Sequence, residues 1–295
     1  MSYCERFINI SNNIGHFISK ADAGEESITD YIIWKIRSLF RINNSFYLNI
    51  EQFTRHQENE ESGADIEIIF TDSRNNQSIS FVIQAKKTVK QYNRYCSSLN
   101  YNNGNQIQTL INYCTGEHKL PLYLFYSNHD RNIQTQCRYL CEMQSLTSCK
   151  CLILVSALII QSLINNRCSN GNRLNKYEIL RNGNPFACIF CCPIAQGQNP
   201  GPLEHLRDYL KEYYKDLIEK FGENQIIKKL PKYVEDIKEG KLQQKLNEIS
   251  KEENDKESWA KIKEILKEYR LIYKTENGED WIIKKVLIID LNQKK

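Results

Sequence analysis

Four polar side chains in the segment 62–87 have the types and spacing of a chemical site. Asp65 and Glu67 alternate with isoleucines, which is typical of a strand that carries both carboxylates on one face. A second apolar run ends in Gln84 and Lys86, which are again two positions apart. If the two strands pair as a hairpin, one edge of the sheet presents two carboxylates, an amide and an ammonium group.

Such a set suits the binding of a divalent cation and the hydrolysis of a phosphate ester. Mg²⁺ and Mn²⁺ prefer oxygen ligands, and Mg²⁺ binds through one or two carboxylates together with water and phosphate oxygens. A lysine beside the cation can position an attacking water or stabilise negative charge as it develops. The small pair Gly63 and Ala64 leaves room at this edge for a metal or a backbone. The alternative is an amphipathic edge strand whose carboxylates only face solvent.

The elements that must position these residues alternate between helices and strands. Segment 25–41 has apolar residues at helical spacing after two glutamates, which predicts an amphipathic helix. Short apolar runs predict strands at 46–50, 66–70, 79–85 and 120–127. Segment 106–114 predicts another helix. This order favours an α/β fold over an all-helical or all-β fold.

The composition changes near Gly201, beyond which Lys and Glu dominate. Helical patterns at 203–221 and 259–269, and a strand-like run from Trp281, predict a mainly helical extension packed on the core. The final run leaves open a strand added back to that core. We therefore divide the chain into a core over 1–200 and an extension over 201–295.

Four short motifs carry a resemblance to a known superfamily. They are EESITD at 25–30, GADIE at 63–67, QAKK at 84–87 and PLYLFY at 121–126. In their order and spacing they resemble the PD-(D/E)xK nuclease superfamily, with Gln in place of the second acidic residue, and an uncharacterised bacterial family of that fold. The resemblance covers roughly residues 20–195. It implies a metal-dependent nuclease with a three-layer, restriction-endonuclease-like core and a mixed central sheet.

The resemblance also implies roles for individual residues. Asp65 and Gln84 match the positions that bind Mg²⁺ or Mn²⁺, and Lys86 matches the lysine that positions and activates the hydrolytic water. The family adds a glutamate from the first helix, for which we favour Glu26 and keep Glu25, because helical spacing does not choose between them. Either glutamate could instead only stabilise the helix dipole.

Further residues are candidates for a supporting role. Glu67 is expected to assist as a second-metal ligand or from behind the primary ligands, and Gln106 matches a glutamine that relatives place near the active site. Lys87 is a candidate phosphate contact. Arg94 belongs to an Asn/Tyr-rich loop that could contact nucleic acid, although such composition is equally typical of AT-rich genomes.

The overall composition bounds the class of protein. The 295 residues are 41% hydrophobic and 26% charged, which excludes collagen-like, mucin-like and fully disordered proteins. No apolar stretch reaches the roughly 18 residues of a membrane span, and no secretory signal is evident, so we expect a cytoplasmic protein with no membrane partner. Eleven cysteines at irregular spacing favour buried reduced thiols over disulfides or a zinc site. A net charge of +4 makes no case for nucleic acid by itself.

The expected function is therefore a metal-dependent DNA endonuclease, with a role in bacterial antiviral defence as a further hypothesis. The preference for DNA over RNA rests on the resemblance alone, and an RNA-cleaving nuclease stays open. The rival is a catalytically inactive scaffold that binds a partner in a defence complex. The amide at Gln84 favours the scaffold, whereas the presence of both Asp65 and Lys86 favours the enzyme. A homodimer is the other expected assembly.

Overall fold

A computed structural model gives the structure of residues 3–20, 23–39, 45–50, 62–87, 99, 105–127, 151–168, 176–190, 201–249 and 255–291. The strands are β1 (Ser45–Asn49), β2 (Ser62–Ala64), β3 (Ile66–Asp72), β4 (Gln77–Lys87), β5 (Leu120–Tyr126), β6 (Leu152–Ser156), β7 (Asn184–Pro185), β8 (Lys228–Lys229), β9 (Ile272–Lys274), β10 (Asp280–Ile283) and β11 (Lys285–Asp290). The helices are α1 (Tyr3–Lys20), α2 (Glu25–Leu39), α3 (Asn105–Glu117), α4 (Ala157–Cys168), α5 (Lys176–Leu180), α6 (Pro202–Tyr213), α7 (Lys215–Phe221), α8 (Lys232–Lys238), α9 (Lys241–Ile249) and α10 (Asp255–Glu268).

The core is a mixed sheet of eight strands. Its order is β1–β11–β3–β4–β5–β6–β7, and β8 pairs with the start of β4. Strands β3 and β4 form the expected antiparallel hairpin, while β11 runs parallel to β3 and β5 runs parallel to β4. Every residue of β3 and β5 is buried. Such continuous burial is expected for central strands that are covered on both faces.

Helices cover both faces of this sheet. On one face, the Thr29 hydroxyl of α2 lies 2.7 Å from the Tyr126 hydroxyl of β5, and α1 packs against α2. Tyr126 is level with Lys87 in the register, whereas Gln84 faces the other side of β4. On that other side, α3 reaches Gln84 through Gln106, and α4 contacts α3, β5 and β6. The expected α/β fold with a mixed sheet is confirmed.

The C-terminal segment completes the core sheet. Strand β11 lies between β1 and β3, and its residues Val286 to Ile289 are almost fully buried. The main sheet therefore contains strands from both sides of residue 200, the position at which the composition changes. The run from Trp281 forms two strands rather than one, because β10 and β11 are separated at Lys284 and pair in different sheets.

A small sheet of β2, β10 and β9 lies next to the hairpin. Strand β10 runs parallel to β2, with Ile282 level with Gly63. A Cβ atom at Gly63 would lie 2.0 Å from the Ile282 carbonyl oxygen. The absence of a side chain at Gly63, two residues before Asp65, thus makes room for the backbone of the C-terminal segment. No helix within the described ranges is both long and apolar enough to cross a lipid bilayer.

Candidate active site

Asp65 lies at the bend between β2 and β3, where the hairpin register brings it level with Gln84. Asp65 is only 7% exposed. Its Oδ2 accepts a hydrogen bond from Gln84 Nε2 at 2.5 Å and another from the Ala85 backbone N–H at 2.6 Å. Its own backbone N–H donates to the Ile83 carbonyl at 3.1 Å. The carboxylate is therefore held by β4 in a fixed orientation at the edge of the sheet.

Burial makes the charge of this carboxylate costly. Burial raises the pKa of Asp65 above its usual range, while the nearby Lys284 charge, the Ala85 N–H and the Lys86 charge act in the opposite direction. A buried carboxylate that stays ionised needs a cation or several donors close to it. Lys284, Lys86 and the Ala85 N–H provide part of this stabilisation, and a bound cation would provide more.

Glu25 is the first residue of α2, and its carboxylate reaches the same end of β4. Its Oε2 accepts a hydrogen bond from the Lys87 backbone N–H at 2.7 Å, and its Oε1 lies 3.9 Å from Lys86 Nζ. Thr29, one turn later, donates to the Glu25 carbonyl and also contacts Tyr126 of the sheet. These contacts fix the start of α2 against the sheet and place Glu25 beside Lys86.

The pKa of Glu25 is also raised. Burial raises it from 4.5 to about 7, although the charge of Lys86 opposes the shift and that of Asp65 adds to it. A carboxylate whose pKa is raised by a second carboxylate nearby is typical of functional sites, where a cation or a shared proton relieves the repulsion. Glu25 and Asp65 are therefore electrostatically coupled across the end of β4.

The sequence analysis favours Glu26, but the structure brings Glu25 to the site instead. The Glu26 side chain is 62% exposed and lies 3.5 Å from Lys284. It falls in line with Asp30, one turn later, which pairs with Lys285 at 3.4 Å. The reason is the rotation of α2 about its axis. Glu25 shares a helix face with Thr29, which contacts the sheet at Tyr126. Glu26 shares a face with Asp30, which is exposed.

Two glutamines extend the site across β4 and α3. Gln84 is 3% exposed, and its Oε1 accepts a hydrogen bond from Gln106 Nε2 at 3.3 Å. The sequence analysis expects the oxygen of Gln84 to face the metal position, whereas the structure directs its nitrogen at Asp65. Rotation of the amide by half a turn exchanges the two atoms, and an amide offers both a donor and an acceptor. The structure thus places Gln106 beside Gln84, and its role at an active site stays a prediction.

Glu67 belongs to a different cluster. Its side chain is fully buried and pairs with Lys119 Nζ at 2.9 Å. It also accepts a hydrogen bond from the Ser80 hydroxyl at 2.5 Å, and the Tyr233 hydroxyl lies 3.5 Å away. The residue faces the same side of the sheet as Asp65, as alternation requires. Partners on β4, on α8 and in the loop after α3 engage its oxygens, so the structure gives Glu67 contacts in the core, and its role at the site stays a prediction.

Lys284 is a candidate that the sequence analysis misses. It lies between β10 and β11, and its backbone N–H donates to the Ala64 carbonyl at 2.9 Å, directly before Asp65. Its charge is the largest of those that lower the pKa of Asp65, and it also acts on Glu25. Its only signal in the sequence is a pair of lysines just ahead of an apolar run, some 200 residues away from the motifs.

The remaining candidates fall into three groups. Lys87 is held by the helix start, because its Nζ donates to the Ala23 carbonyl at 2.6 Å. Arg94 lies outside the described residues. Of the cysteines that the structure describes, Cys114, Cys151 and Cys188 are buried. Among described residues, no group of three or more His, Cys, Asp or Glu side chains is arranged to hold a metal ion.

The fold and the site define an α/β protein with a cluster of two carboxylates and a lysine at the end of the central strand β4. The chain belongs to a family of unknown function, DUF6615, whose profile matches residues 3–280. The match ends at Asp280, the first residue of β10, and does not include β11, the strand that completes the main sheet. No curated protein and no solved structure matches the chain.

Proposed function

We propose that this protein is a metal-dependent nuclease whose site is formed by Glu25, Asp65, Gln84 and Lys86. The observation that carries the proposal is the meeting of the Glu25 and Asp65 carboxylates with the Lys86 ammonium at the end of β4. Two of these residues come from one hairpin and the third from a separate helix. The resemblance to the PD-(D/E)xK superfamily implies Asp65, Lys86 and a glutamate of the first helix, for which the sequence analysis favours Glu26 and keeps Glu25.

The residues present fit a divalent cation with oxygen ligands. Asp65 and Glu25 supply two carboxylates whose charge is unfavourable without a cation, as their raised pKa values indicate. Gln84 supplies an amide oxygen after rotation of its side chain. Mg²⁺ needs only one or two protein carboxylates, because water and phosphate oxygens complete its coordination. When bound, such a cation lowers the pKa of a water and neutralises charge on a phosphate.

The chain's own residues have separate tasks in this proposal. Lys86 is nearly buried, and its ammonium holds the attacking water against the carboxylates and stabilises the negative charge that develops on the phosphate. Gln106 keeps the Gln84 amide in place. The side chain of Lys284 is about one-third exposed (32%) and pairs with Glu26, and its charge acts on both site carboxylates. From there it can contact a phosphate oxygen of the substrate.

The preference for DNA over RNA rests on the resemblance, as do the homodimer and the role in antiviral defence. One observation favours the rival function of an inactive scaffold. The amide nitrogen of Gln84 donates to Asp65 and so occupies an oxygen that a metal would need. A scaffold with this arrangement keeps the fold and binds no cation, and this difference makes the two functions separable.

The proposal is tested by cleavage of plasmid DNA, single-stranded DNA and RNA, each with Mg²⁺, with Mn²⁺ and with EDTA. Lys86→Ala runs beside the wild type, and Lys220→Ala, an exposed lysine on α7, is the matched control. Metal-dependent cleavage that only Lys86→Ala abolishes supports the nuclease and identifies its substrate. Cleavage that survives in Lys86→Ala contradicts the assigned site.

Calorimetry with Mn²⁺ separates the enzyme from the scaffold if none of the substrates is cut. The nuclease proposal predicts one binding event in the wild type and its loss in Asp65→Ala. If the wild type binds no Mn²⁺, the scaffold is the better description of the protein.

A further inference from the structure

A cavity of about 500 Å³ lies at the opposite end of β4 from the candidate active site. It forms where β8 pairs with the start of β4, at Gln77 and Ser78. Its floor includes Ser78, Ser80 and apolar side chains such as Ile69 and Leu230. This volume is in the usual range for pockets that bind small molecules.

The charge on the cavity wall is strongly positive. Five lysine and arginine side chains and two glutamates line it; these are Lys119, Lys228, Lys229, Lys232, Arg270, Glu117 and Glu268. Both glutamates already have basic partners, because Glu117 pairs with Arg270 and Glu268 pairs with Lys245 from outside the cavity. Lys119 is paired with Glu67. The charges of Lys119, Arg270 and the two glutamates are therefore largely compensated.

Three lysines are left over. Lys228, Lys229 and Lys232 make no ion pair with any residue that the structure describes. Lys228 is half-buried, and its ammonium donates to the His118 carbonyl at 2.6 Å. Burial lowers the pKa of Lys228 from 10.5 to about 8. A lysine held in this way carries a charge at a cost to the fold, and a bound anion would offset that cost.

We propose that this cavity binds a small phosphate-bearing molecule of about nucleotide size. Its three uncompensated lysines recognise the phosphate groups, and the Ser78 hydroxyl of β4 offers a further donor. The apolar floor and the ring of Tyr233 accept the uncharged part of the ligand. This inference does not depend on the nuclease proposal, because the cavity shares no residue with the candidate active site.

Calorimetry of the full chain with inorganic pyrophosphate and with ATP tests this proposal. The test variant replaces Lys228, Lys229 and Lys232 with glutamine. The matched control carries the same change at three exposed lysines outside the cavity, Lys220, Lys261 and Lys267. Circular dichroism establishes that both variants are folded, and the single variant Lys228→Met serves if the triple variant is not.

The expected result is binding of both probes by the wild type and by the control, weakened about tenfold or more in the test variant. Because the contacts are ionic, higher salt should also weaken binding. An absence of binding by the wild type at millimolar concentrations overturns the proposal. So does binding that the test variant keeps, or that both variants lose equally. None of these readouts requires nuclease activity, so the two proposals fail independently.

Discussion

The role given to Glu67 leads to a prediction that separates the core from the active site. Glu67→Gln keeps the shape of the side chain but removes the charge that compensates Lys119. The pair is almost fully shielded, with side chains 0% and 4% exposed and the charged atoms 2.9 Å apart. We therefore expect a large loss of stability, and no change in metal binding by protein that remains folded.

The magnitude follows from the burial of both partners. Removing one member of a buried ion pair costs about 3–5 kcal/mol, because the other charge is left without compensation. The glutamine can still accept the Ser80 hydrogen bond, so we expect the lower end, about 3 kcal/mol. Lys119→Met should cost a similar amount. The double variant should lose less than the sum, with a coupling energy of about 2 kcal/mol.

Urea unfolding followed by tryptophan fluorescence measures these values. Trp281 is fully buried and 4.9 Å from the ring of Tyr113, which makes it a reporter of the same region. The matched control is the pair Lys211 and Glu223, which has the same 2.9 Å separation but side chains 43% and 40% exposed. Its coupling energy should stay below about 1 kcal/mol.

The reasoning is refuted if Glu67→Gln costs less than about 1 kcal/mol, or if the two buried substitutions are additive within about 0.5 kcal/mol. A stable Glu67→Gln variant that loses Mn²⁺ binding would also refute it. That result would support the role in metal binding that the sequence analysis gives to Glu67.

Three further predictions follow from individual contacts. Gly63→Ala should destabilise by about 2 kcal/mol or more in urea unfolding, because its Cβ would lie 2.0 Å from the Ile282 carbonyl oxygen. Lys228→Met should stabilise at neutral pH by about 1 kcal/mol, discounted for solvent exposure. That gain should shrink as pH rises from about 8 to 10.5, because the folded protein gives up this proton before the unfolded chain does. Deletion of residues 285–295 should abolish cooperative thermal unfolding, because it removes the buried strand β11 from between β1 and β3.

Local patterns were enough to predict the elements around the hairpin. Strands β3, β4 and β5 and helices α2 and α3 agree with the predicted segments to within a few residues. Their signals are short apolar runs and one amphipathic stripe, which depend only on neighbouring residues. Asp65 and Gln84 were placed together because alternation and hairpin pairing follow from the same local rules.

The rest depended on contacts between distant parts of the chain. Lys284 reaches the site because β11 inserts between β1 and β3, a long-range pairing that no local pattern specifies. Lys119, which follows α3 in the chain, pairs with Glu67, and nothing in the sequence indicates this pairing. The choice between Glu25 and Glu26 depended on the rotation of α2 against the sheet, which the Thr29–Tyr126 contact fixes.

One break inside a predicted helix and one complete helix were also missed. The helical pattern at 203–221 is divided at Tyr214, whose φ of −133° is not helical. The hydroxyl of Tyr214 instead lies 3.2 Å from the Leu154 carbonyl of β6. Helix α1 was not predicted at all, although the structure buries Ile10, Ile14 and Ile18 at helical spacing.

The central claim is tested most directly by the rate of Mg²⁺-dependent plasmid cleavage in Glu25→Gln beside Glu26→Gln. Both substitutions remove one negative charge from adjacent residues of α2, but Glu25 lies beside Lys86, whereas Glu26 is 62% exposed and pairs with Lys284. We predict that Glu25→Gln loses at least about 100-fold in rate, while Glu26→Gln stays within about threefold of the wild type. Equal losses in both variants, or a greater loss in Glu26→Gln, would contradict the site described here.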